Sequence, residues 1–438
     1  MKYIAIIVCK ILRLVGKLVH KGSSLPGQVA LKIDPKILSK IRLPEYVVAV
    51  SGSNGKTSTV EMIEQVLSSA GYKVAYNAEG SNQIEGVTTL ILDNCTLGGR
   101  CKADILLLES DERYARYSFK QIVPTHFVLT NLYRDQLTRN GNPEWIYSCL
   151  KEAVHDETEL ILNGDDPLVS PFGKDHEKTI YFGIDRFTEG NIGVYDDGAY
   201  CPSCKSKMVY DYRHYGNVGS FRCTECGYRH SNLKYHITDV NLDEGYLKID
   251  GKHRIDLALK SIYNAYNILS AYSLCRELGV DSETIVSSLN NYVLKNGRVV
   301  RLKKGSSEGT LLISKHENST SYNQTISVIA SEKNRLNVII LVDAISRKYF
   351  TSETSWLWDI DFNGLNRDHI RRIILTGQYA YDLALRFEYT DIDEHKIIVE
   401  PDMNRGFDYL KDDNTPFYVI TCFSDAQKVF DRCEVQND

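Results

Sequence analysis

Residues 46–71 read YVVAVSGSNGKTSTVEMIEQVLSSAG, a strand–loop–helix pattern. Tyr46–Val50 is apolar and β-branched, which predicts a buried strand, and Thr59–Ala70 has apolar residues at helical spacing up to Gly71. The loop between them suits a nucleotide, because its backbone N–H groups point at phosphates, its lysine neutralises charge and its threonine can ligate Mg²⁺. An accidental glycine-rich turn is the alternative. The residues predicted to bind nucleotide are Gly52, Ser53, Asn54, Gly55, Lys56, Thr57 and Ser58.

Further apolar runs extend this pattern into a parallel sheet. Ile105–Leu108, His126–Thr130 and Leu160–Leu162 are predicted to be buried strands, with helical stretches between them. Strands that alternate with helices imply right-handed crossovers and a doubly wound α/β sheet. A hairpin-like stretch and a helix over Tyr263–Leu278 follow.

A second α/β set begins past Gly297-Arg298. Helical patterns again lie between its strands. We therefore expect an N-terminal helical segment over residues 1–40, a nucleotide-binding domain over 41–297 and a C-terminal domain over 298–438. The predicted strands of the C-terminal domain are Leu311–Ile313, Val338–Val342, Ile373–Thr376, Ile397–Val399 and Phe417–Thr421.

The composition is that of an ordinary globular protein. Of 438 residues, 43% are hydrophobic and 25% are charged, which excludes the disordered and fibrous classes. The formal net charge is −5 at pH 7, which argues against a protein that binds nucleic acid over a broad surface. Eleven cysteines occur without a convincing secretory signal, which indicates a reducing, cytoplasmic compartment.

A carboxylate at the end of one predicted strand is the candidate magnesium ligand. Glu109 closes the run Ile105–Leu108 in the sequence LLLESDE. The carboxyl ends of parallel strands line the crevice in which ligands bind, and Mg²⁺ prefers one or two carboxylates plus phosphate oxygens. Because Asp111 and Glu112 follow directly, a solvated acidic loop is the alternative.

Two CxxC pairs indicate a structural metal site. They lie in a stretch over about 192–236 that is rich in Tyr, Gly, Cys and polar residues, which is typical of a small inserted module. Four thiolates at this spacing match a tetrahedral zinc site with no open position, so we expect a structural role. The predicted zinc ligands are Cys201, Cys204, Cys223 and Cys226.

The N-terminal segment has an amphipathic pattern. Lys10, Arg13 and Lys17 recur on one helical face and interrupt the apolar run from Tyr3 to Val19, so the segment does not qualify as a membrane-spanning helix. Two hypotheses stay open. The helix either packs on the body of the protein or rests, as a basic amphipathic helix, on an anionic membrane surface.

Several motifs, in order along the chain, resemble the Mur ligase superfamily of ATP-dependent ligases. They are GSNGKTS from Gly52, LTNLYRDQL from Leu129, LNGDDP from Leu162, YNAYN from Tyr263 and GR at 297–298. Other stretches resemble the MurT family within it: SSLPGQVALKID at 23–34, NAEGSN at 77–82, the four-cysteine insertion and TSWLWDIDF at 354–362. The resemblance covers nearly the whole chain.

The resemblance implies an architecture and a nucleotide site. The expected fold is α/β, with a Mur ligase-like central P-loop ATPase domain, an inserted four-cysteine zinc ribbon and a C-terminal Rossmann-like α/β domain. Lys56 and Thr57 would hold the ATP phosphates and Mg²⁺, and Glu109 would be a second magnesium ligand. The further residues implied to line the nucleotide site are Asn264, Asn267 and Arg298.

The resemblance also implies a reaction. Ligases of this family amidate the D-glutamate α-carboxylate of the lipid II stem peptide, through an acyl phosphate, with ammonia from a glutaminase subunit, GatD. This implies peptidoglycan synthesis, a heterodimer with a GatD-like partner and a substrate at the inner face of the cell membrane. Two alternatives stay open: an amide ligase that acts on a soluble acid, as folylpolyglutamate synthetase does, and a nucleotide-binding scaffold without catalysis.

The glutaminase of this family takes its triad acid from the synthetase subunit. The resemblance implies that this acid is Glu353, just before the SW motif, where the family has aspartate; a glutamate can still orient an imidazole. The alternatives are that Glu353 is a solvated loop residue and that Asp359 or Asp361 takes the role. Trp356 and Trp358 are either interface anchors or core residues. The chain has no cysteine in a Gly-x-Cys-x-Gly elbow, which predicts that it cannot release ammonia from glutamine itself.

Overall fold

The chain divides into two compact units. The first comprises residues 1–133, 142–191 and 197–293, and the second comprises residues 134–141, 192–196 and 294–438. The described residues of the segment 1–40 fall within the first unit. The structure, a computed structural model, describes residues 1–18, 24–77, 82–136, 140–187, 196–293, 299–344, 353–411 and 414–436.

The first unit contains a mixed, mainly parallel sheet. Its strands and those of the inserted hairpin (β7 and β8) are β1 Tyr46–Ser51, β2 Val74–Tyr76, β3 Ile105–Glu109, β4 His126–Leu129, β5 Glu159–Asn163, β6 Thr179–Ile184, β7 Met208–Tyr215, β8 Val218–Cys223, β9 Tyr235–Asn241, β10 Tyr246–Ile249 and β11 His253–Asp256. Among the described residues the order across the sheet is β11-β10-β9-β6-β5-β4-β1-β3-β2. Within this sheet, the seven strands β9, β6, β5, β4, β1, β3 and β2 run parallel. The strands β10 and β11 add an antiparallel edge next to β9.

The register of the central strands brings three loops to one edge of the sheet. Every residue of β3 and β4 is buried, as are residues 47–51 of β1, which is typical of parallel strands covered on both faces. Val50 pairs with Glu109, and Ser51 pairs with Leu129. The loops that follow β1, β3 and β4 therefore start together, at the edge where ligands bind in this class of sheet.

Helices of the first unit pack around this sheet and on one another. They are α1 Lys2–Leu18, α2 Leu25–Ile33, α3 Lys56–Ser69, α4 Ile84–Asp93, α5 Ala115–Ser118, α6 Pro143–Lys151, α7 Ile262–Glu277 and α8 Ser282–Asn290. The helix that follows the glycine-rich loop, α3, packs against α7 and α8. The inner side of α1 packs against α2 and α4, with Ala5, Ile6 and Cys9 buried in the core. Packing of the N-terminal segment on the body of the protein is thus confirmed.

The second unit contains another mixed sheet. Its described strands are β12 Val299–Lys304, β13 Ser307–Ser314, β14 Leu336–Leu341, β15 Ile370–Thr376, β16 Ile397–Glu400, β17 Phe417–Cys422 and β18 Glu434–Val435. They lie in the order β16-β15-β14-β17-β13-β12-β18, and the five from β16 to β13 run parallel. Its helices are α9 Ser319–Ala330, α10 Ala380–Phe387, α11 Met403–Asp408 and α12 Ala426–Phe430, with 3₁₀ turns at Ser355–Asp359 and Phe362–Leu365.

The strands predicted from apolar runs all form, within a few residues of their predicted bounds. The strands that the apolar pattern missed all contain half-buried or exposed residues; they are β2, β6, β7, β8, β9, β12 and β18. Because these strands are not buried along their whole length, their sequences are not continuous apolar runs. Along the stretches that the structure describes, no helix combines the length and the apolar character needed to cross a membrane.

Candidate active site

The glycine-rich loop connects β1 to α3, which begins at Lys56. Gly52 has a φ of +138°, and a Cβ at this residue would lie 2.2 Å from Oγ1 of Thr130. Gly55 has a φ of +85°, and a Cβ there would lie 2.1 Å from Oδ1 of Asn267. Only glycine fits at these two positions. The tight loop leads directly into the first turn of α3, whose N–H groups can bind an anion.

Lys56 turns its ammonium group back over the loop. Its Nζ donates to the backbone oxygen of Gly52 and to Oε1 of Glu112. The lysine is 9% exposed and Glu112 is 4% exposed, so the two form a buried ion pair. Phosphates that enter the loop would compete with Glu112 for the ammonium. The alternative interpretation of residues 109–112 as a solvated acidic loop is wrong, because Glu109, Asp111 and Glu112 are all buried.

Thr57 and Glu109 place a hydroxyl and a carboxylate next to each other beside the loop. Oγ1 of Thr57 donates to Oε2 of Glu109 at 2.9 Å. The backbone of Glu109 is held by Asn77, whose Nδ2 donates to the Glu109 carbonyl at 3.0 Å and whose Oδ1 accepts the Glu109 N–H at 2.8 Å. A carboxylate and a hydroxyl next to a phosphate-binding loop fit a magnesium ion. Asn77 belongs to the NAEGSN motif, but sequence reasoning assigned it no role.

The stretch after β4 holds the glycine-rich loop from behind. Oδ1 of Asn131 accepts the N–H of Asn54 at 2.9 Å, and Oγ1 of Thr130 donates to the Asn54 carbonyl at 2.8 Å. The Ser53 hydroxyl donates to the carbonyl of Tyr133 at 3.0 Å and accepts its N–H at 3.1 Å. These bonds fix the backbone of the loop, and they account for part of the LTNLYRDQL motif.

The two asparagines of α7 have different surroundings. Asn267 lies against the glycine-rich loop at Gly55. Asn264 is buried, and its Nδ2 donates to the carbonyl of Leu259 at 3.2 Å, just before the helix. Asn267 is therefore the one that the structure brings to the loop. Arg298, the third residue implied to contact nucleotide, lies outside the described residues.

A buried carboxylate in the loop after β5 joins the inserted module to α7. The carboxylate of Asp165 accepts hydrogen bonds from the Tyr266 hydroxyl of α7 and from the N–H of Ile184. Its Oδ1 contacts Nε2 of His230, and its backbone carbonyl accepts the N–H of Gly219, both from the module. Asp165 is fully buried, so it links these elements inside the protein.

The neighbouring carboxylate, Asp166, reaches the stretch that supports the glycine-rich loop. It accepts the N–H of Leu132 at 2.7 Å and Nδ2 of Asn217, from the module, at 3.1 Å. Burial raises the pKa of Asp166 to about 7, against the opposite effect of its backbone N–H donors. The module is thereby connected, through Asp166 and Leu132, to the residues around Ser53.

The four predicted zinc ligands come together. Their sulfur atoms all lie within 4.8 Å of one another, with Cys201 3.6 Å from Cys226 and Cys204 3.4 Å from Cys223. Zinc–sulfur bonds of about 2.3 Å in a tetrahedron place sulfurs about 3.8 Å apart, so the cluster fits one zinc ion. Hydrogen bonds from Ser206 lower the pKa of the Cys204 thiol, whereas Cys226 has a raised pKa: the backbone hydrogen bond from Tyr228 lowers it, but those with the other three thiols raise it by more.

In the second unit, an ion pair lies at the carboxyl end of β13. Nζ of Lys315 contacts Oδ2 of Asp135, and Nδ2 of Asn318 donates to the other carboxylate oxygen at 2.6 Å. Asn318 also accepts the N–H of Ser321 and so caps α9. Glu317, between these side chains, has a φ of +48°, a conformation that favours glycine. Sequence reasoning missed Asp135, which is part of the LTNLYRDQL motif.

Glu353 stands at an exposed position before the 3₁₀ turn Ser355–Asp359. Its Oε1 accepts the Ser355 N–H at 2.8 Å, and the hydrogen bonds from Ser355 lower the pKa of the Glu353 carboxyl, which keeps it ionised. Asp359 is only 8% exposed, and Asp361 is half-buried. Of the three candidate acids, Glu353 is thus the most accessible to a second protein.

The two tryptophans of this region differ. Trp356 is 3% exposed and packs on Tyr322, with ring centroids 5.2 Å apart. The interpretation of Trp356 as an interface anchor is therefore wrong, because its ring fills the core of the second unit. Trp358 remains 39% exposed, against Tyr389. Only Trp358 of the pair can contact a partner directly.

Two protein families match the chain. The Mur ligase middle domain matches residues 50–275, and the MurT ligase C-terminal domain matches residues 316–425. Among solved structures, a pseudomurein peptide ligase type C from Methanothermus fervidus is similar in fold, with a TM-score of 0.70 at 22% identity over 91% of this chain and 80% of that one. The fold of this chain is accordingly a Mur ligase-like α/β fold.

Curated relatives extend the similarity to nearly the whole length. The lipid II isoglutaminyl synthase (glutamine-hydrolyzing) subunit MurT of Staphylococcus aureus (strain COL) is 33% identical over 92% of this chain and 90% of its own. The subunit of the same name from Streptococcus pneumoniae (strain ATCC BAA-255 / R6) is 30% identical over 86% of this chain and 84% of its own. This chain belongs to the MurT family of Mur ligases.

Proposed function

We propose that the chain is the synthetase subunit of a lipid II isoglutaminyl synthase. It converts the D-glutamate α-carboxylate of the lipid II stem peptide into the amide of D-isoglutamine, with ATP and with ammonia from a glutaminase partner. The observation that carries this proposal is the extended match to MurT subunits, together with the convergence of Lys56, Thr57 and Glu109 at one edge of the sheet.

The glycine-rich loop would bind the phosphates of ATP. The first-turn N–H groups of α3 and the Lys56 ammonium face the negative charge, and Asn267 closes the loop at Gly55. Thr57 and Glu109 would hold Mg²⁺, which when bound offsets charge on the phosphate oxygens. This arrangement stabilises the charge that develops as the γ-phosphate is transferred. It supports ATP-dependent activation of a carboxylate.

The reaction needs two steps because a carboxylate resists attack by ammonia. In the first, a carboxylate oxygen attacks the γ-phosphorus, and ADP leaves with the electrons of the broken P–O bond. In the second, ammonia attacks the carbonyl carbon of the acyl phosphate, inorganic phosphate leaves, and the nitrogen loses a proton.

A GatD-like glutaminase would supply the ammonia in a heterodimer. A cysteine–histidine pair needs an acid to orient the imidazole, and the exposed, ionised Glu353 can provide it from this chain. The nearest approach to a nucleophile in this chain is Cys422, but it is buried, and burial raises its thiol pKa strongly. These observations support a chain that depends on its partner for ammonia.

The four-cysteine module would carry one structural zinc ion. The purified protein is expected to contain about one zinc per chain, because four thiolates leave no open position. Cys204→Ser should lose the metal and lower the affinity for ATP, because the module supports Leu132 through Asn217 and Asp166. Metal analysis and nucleotide titration check this. Cys101→Ser, outside the cluster, is the control and should keep both; a folded, zinc-free wild-type protein contradicts the proposal.

We further infer that the chain acts in the cytoplasm, at the inner face of the membrane that holds lipid II. The reaction is tested by ADP release from the full chain supplied with ATP, Mg²⁺, ammonium and lipid II in detergent. Release should require both ammonium and lipid II. Release with a soluble folate-like acid instead would favour the folylpolyglutamate synthetase-type alternative. ATP binding without release under any condition would favour the non-catalytic scaffold.

A further inference from the structure

The outward side of α1 is an exposed apolar stripe. Ile7, Ile11, Leu14 and Leu18, spaced three or four residues apart, are 43%, 56%, 65% and 76% exposed. Its margins are apolar as well, with Tyr3, Ile4 and Val15 all exposed. Soluble surfaces rarely carry so many large apolar side chains together, and such a patch marks a contact with a protein or a membrane.

The basic residues of the helix do not form this outward side. Nζ of Lys10 donates to the backbone carbonyl of Asp93 at 2.7 Å, and Nζ of Lys17 lies 3.1 Å from the Asp93 carboxylate. Nε of Arg13 lies 3.7 Å from the same carboxylate. The three cations therefore lie on the side of α1 that faces the end of α4 and pair with Asp93 there. The amphipathic pattern noted in the sequence thus places apolar, rather than basic, residues outward.

The charge of the surrounding segment indicates which surface the stripe contacts. Residues 1–42 contain nine lysines and arginines and a single acidic residue, Asp34, although the whole chain has a net charge of −5. Asp34 is itself paired with Lys40. A strongly basic segment that carries an exposed apolar stripe is complementary to an anionic lipid surface, where headgroups attract exposed cations such as Lys17 and acyl chains receive the apolar side chains.

We propose that the stripe formed by Ile7, Ile11, Leu14 and Leu18 docks α1 flat onto an anionic bilayer. This deepens the proposed function, on which it rests, because the proposed acceptor is anchored in that bilayer. A second copy of the chain is a poorer occupant, since it would bring two strongly basic segments together.

Vesicle flotation of the full chain tests the docking. Wild-type protein should float with vesicles of phosphatidylglycerol and phosphatidylethanolamine and much less with pure phosphatidylcholine. Ile11→Glu/Leu14→Glu should lower the bound fraction at least tenfold, because two charges replace apolar contact at the acyl boundary. Both residues are exposed, so the variant should fold. Tyr381→Glu/Leu385→Glu, two exposed residues of α10, is the matched control and should float like wild type.

Three results would overturn the proposal. The first is that the α1 variant floats like wild type, and the second is that wild type does not float with anionic vesicles. The third is that wild type is a dimer in solution and the α1 variant is a monomer. Amidation of a lipid-free stem-peptide analogue separates this proposal from the function. The α1 variant should retain that activity while losing vesicle binding. If wild type amidates lipid II in detergent but never floats, the docking is wrong and the proposed function stands.

Discussion

Lys56→Ala is expected to abolish nearly all ATP-dependent amidation. The ammonium lies over the loop at Gly52, where it would face the ATP phosphates, and removal of one preorganised charge stabiliser typically costs on the order of 10²–10³ in rate. Both the affinity for ATP and the rate of ADP release should fall. Isothermal titration with ATP and a coupled ADP assay measure the two. Lys151→Ala, an exposed lysine on α6, is the control and should leave both unchanged.

Lys56 also forms a buried ion pair with Glu112, so a loss of activity in Lys56→Ala has to be separated from a loss of stability. A second substitution at Glu112 makes this separation possible. Loss of one partner of a buried ion pair costs about 3–5 kcal/mol, so Lys56→Ala should lower the melting temperature. Lys56→Ala/Glu112→Gln removes the stranded charge and should recover stability without activity. Glu112→Gln alone should bind ATP at least as tightly as wild type, because it frees the ammonium for phosphate. Unchanged ATP affinity and turnover in Lys56→Ala would refute the nucleotide site.

Glu353→Gln is expected to separate the two sources of ammonia. Loss of a triad acid lowers catalysis by on the order of 10²–10⁴, so glutamine-driven amidation by the heterodimer should fall by such a factor. Amidation with added ammonium should remain, because Glu353 lies outside the loop that would bind ATP. Parallel assays of the heterodimer with glutamine and with ammonium chloride measure the difference.

Two further variants control this experiment. Glu353→Asp keeps the charge and restores the residue expected at this position of the family, so it should retain substantial glutamine-driven activity. Asp359→Asn tests the alternative acid; because Asp359 is buried, this variant is expected to affect stability and not the use of glutamine. If both activities of Glu353→Gln fall together, or if neither changes, Glu353 is not the triad acid.

Local sequence signals were sufficient to predict the framework of the site. The run before Gly52 predicts β1, the helical spacing after Ser58 predicts α3, and parallel pairing places Glu109 beside the loop because both strands end at the same edge. These features depend on short-range pattern and on general rules of α/β topology. The four cysteines were predictable for the same reason, since their spacing alone specifies a cluster.

Contacts between distant segments could not be predicted in this way. In the sequence a solvated acidic loop is an alternative for Asp111 and Glu112, and only the packed structure brings Glu112 to Lys56. Burial of Trp356 depends on how the second unit folds around Tyr322, which no local pattern reveals. The orientation of α1 on the protein could not be predicted for the same reason. Helical spacing separates the faces of the helix but does not show which face packs against α4.

The amidated product itself identifies the reaction and its acceptor. Lipid II is incubated with the full chain, its glutaminase partner, ATP, Mg²⁺ and glutamine, and the stem peptide is then analysed by tandem mass spectrometry. We predict the mass change of one OH replaced by NH₂, located at the α-carboxyl of D-glutamate and absent without ATP. A stem peptide of unchanged mass, or an amide at another carboxyl group, would show that the chain does not carry out this reaction.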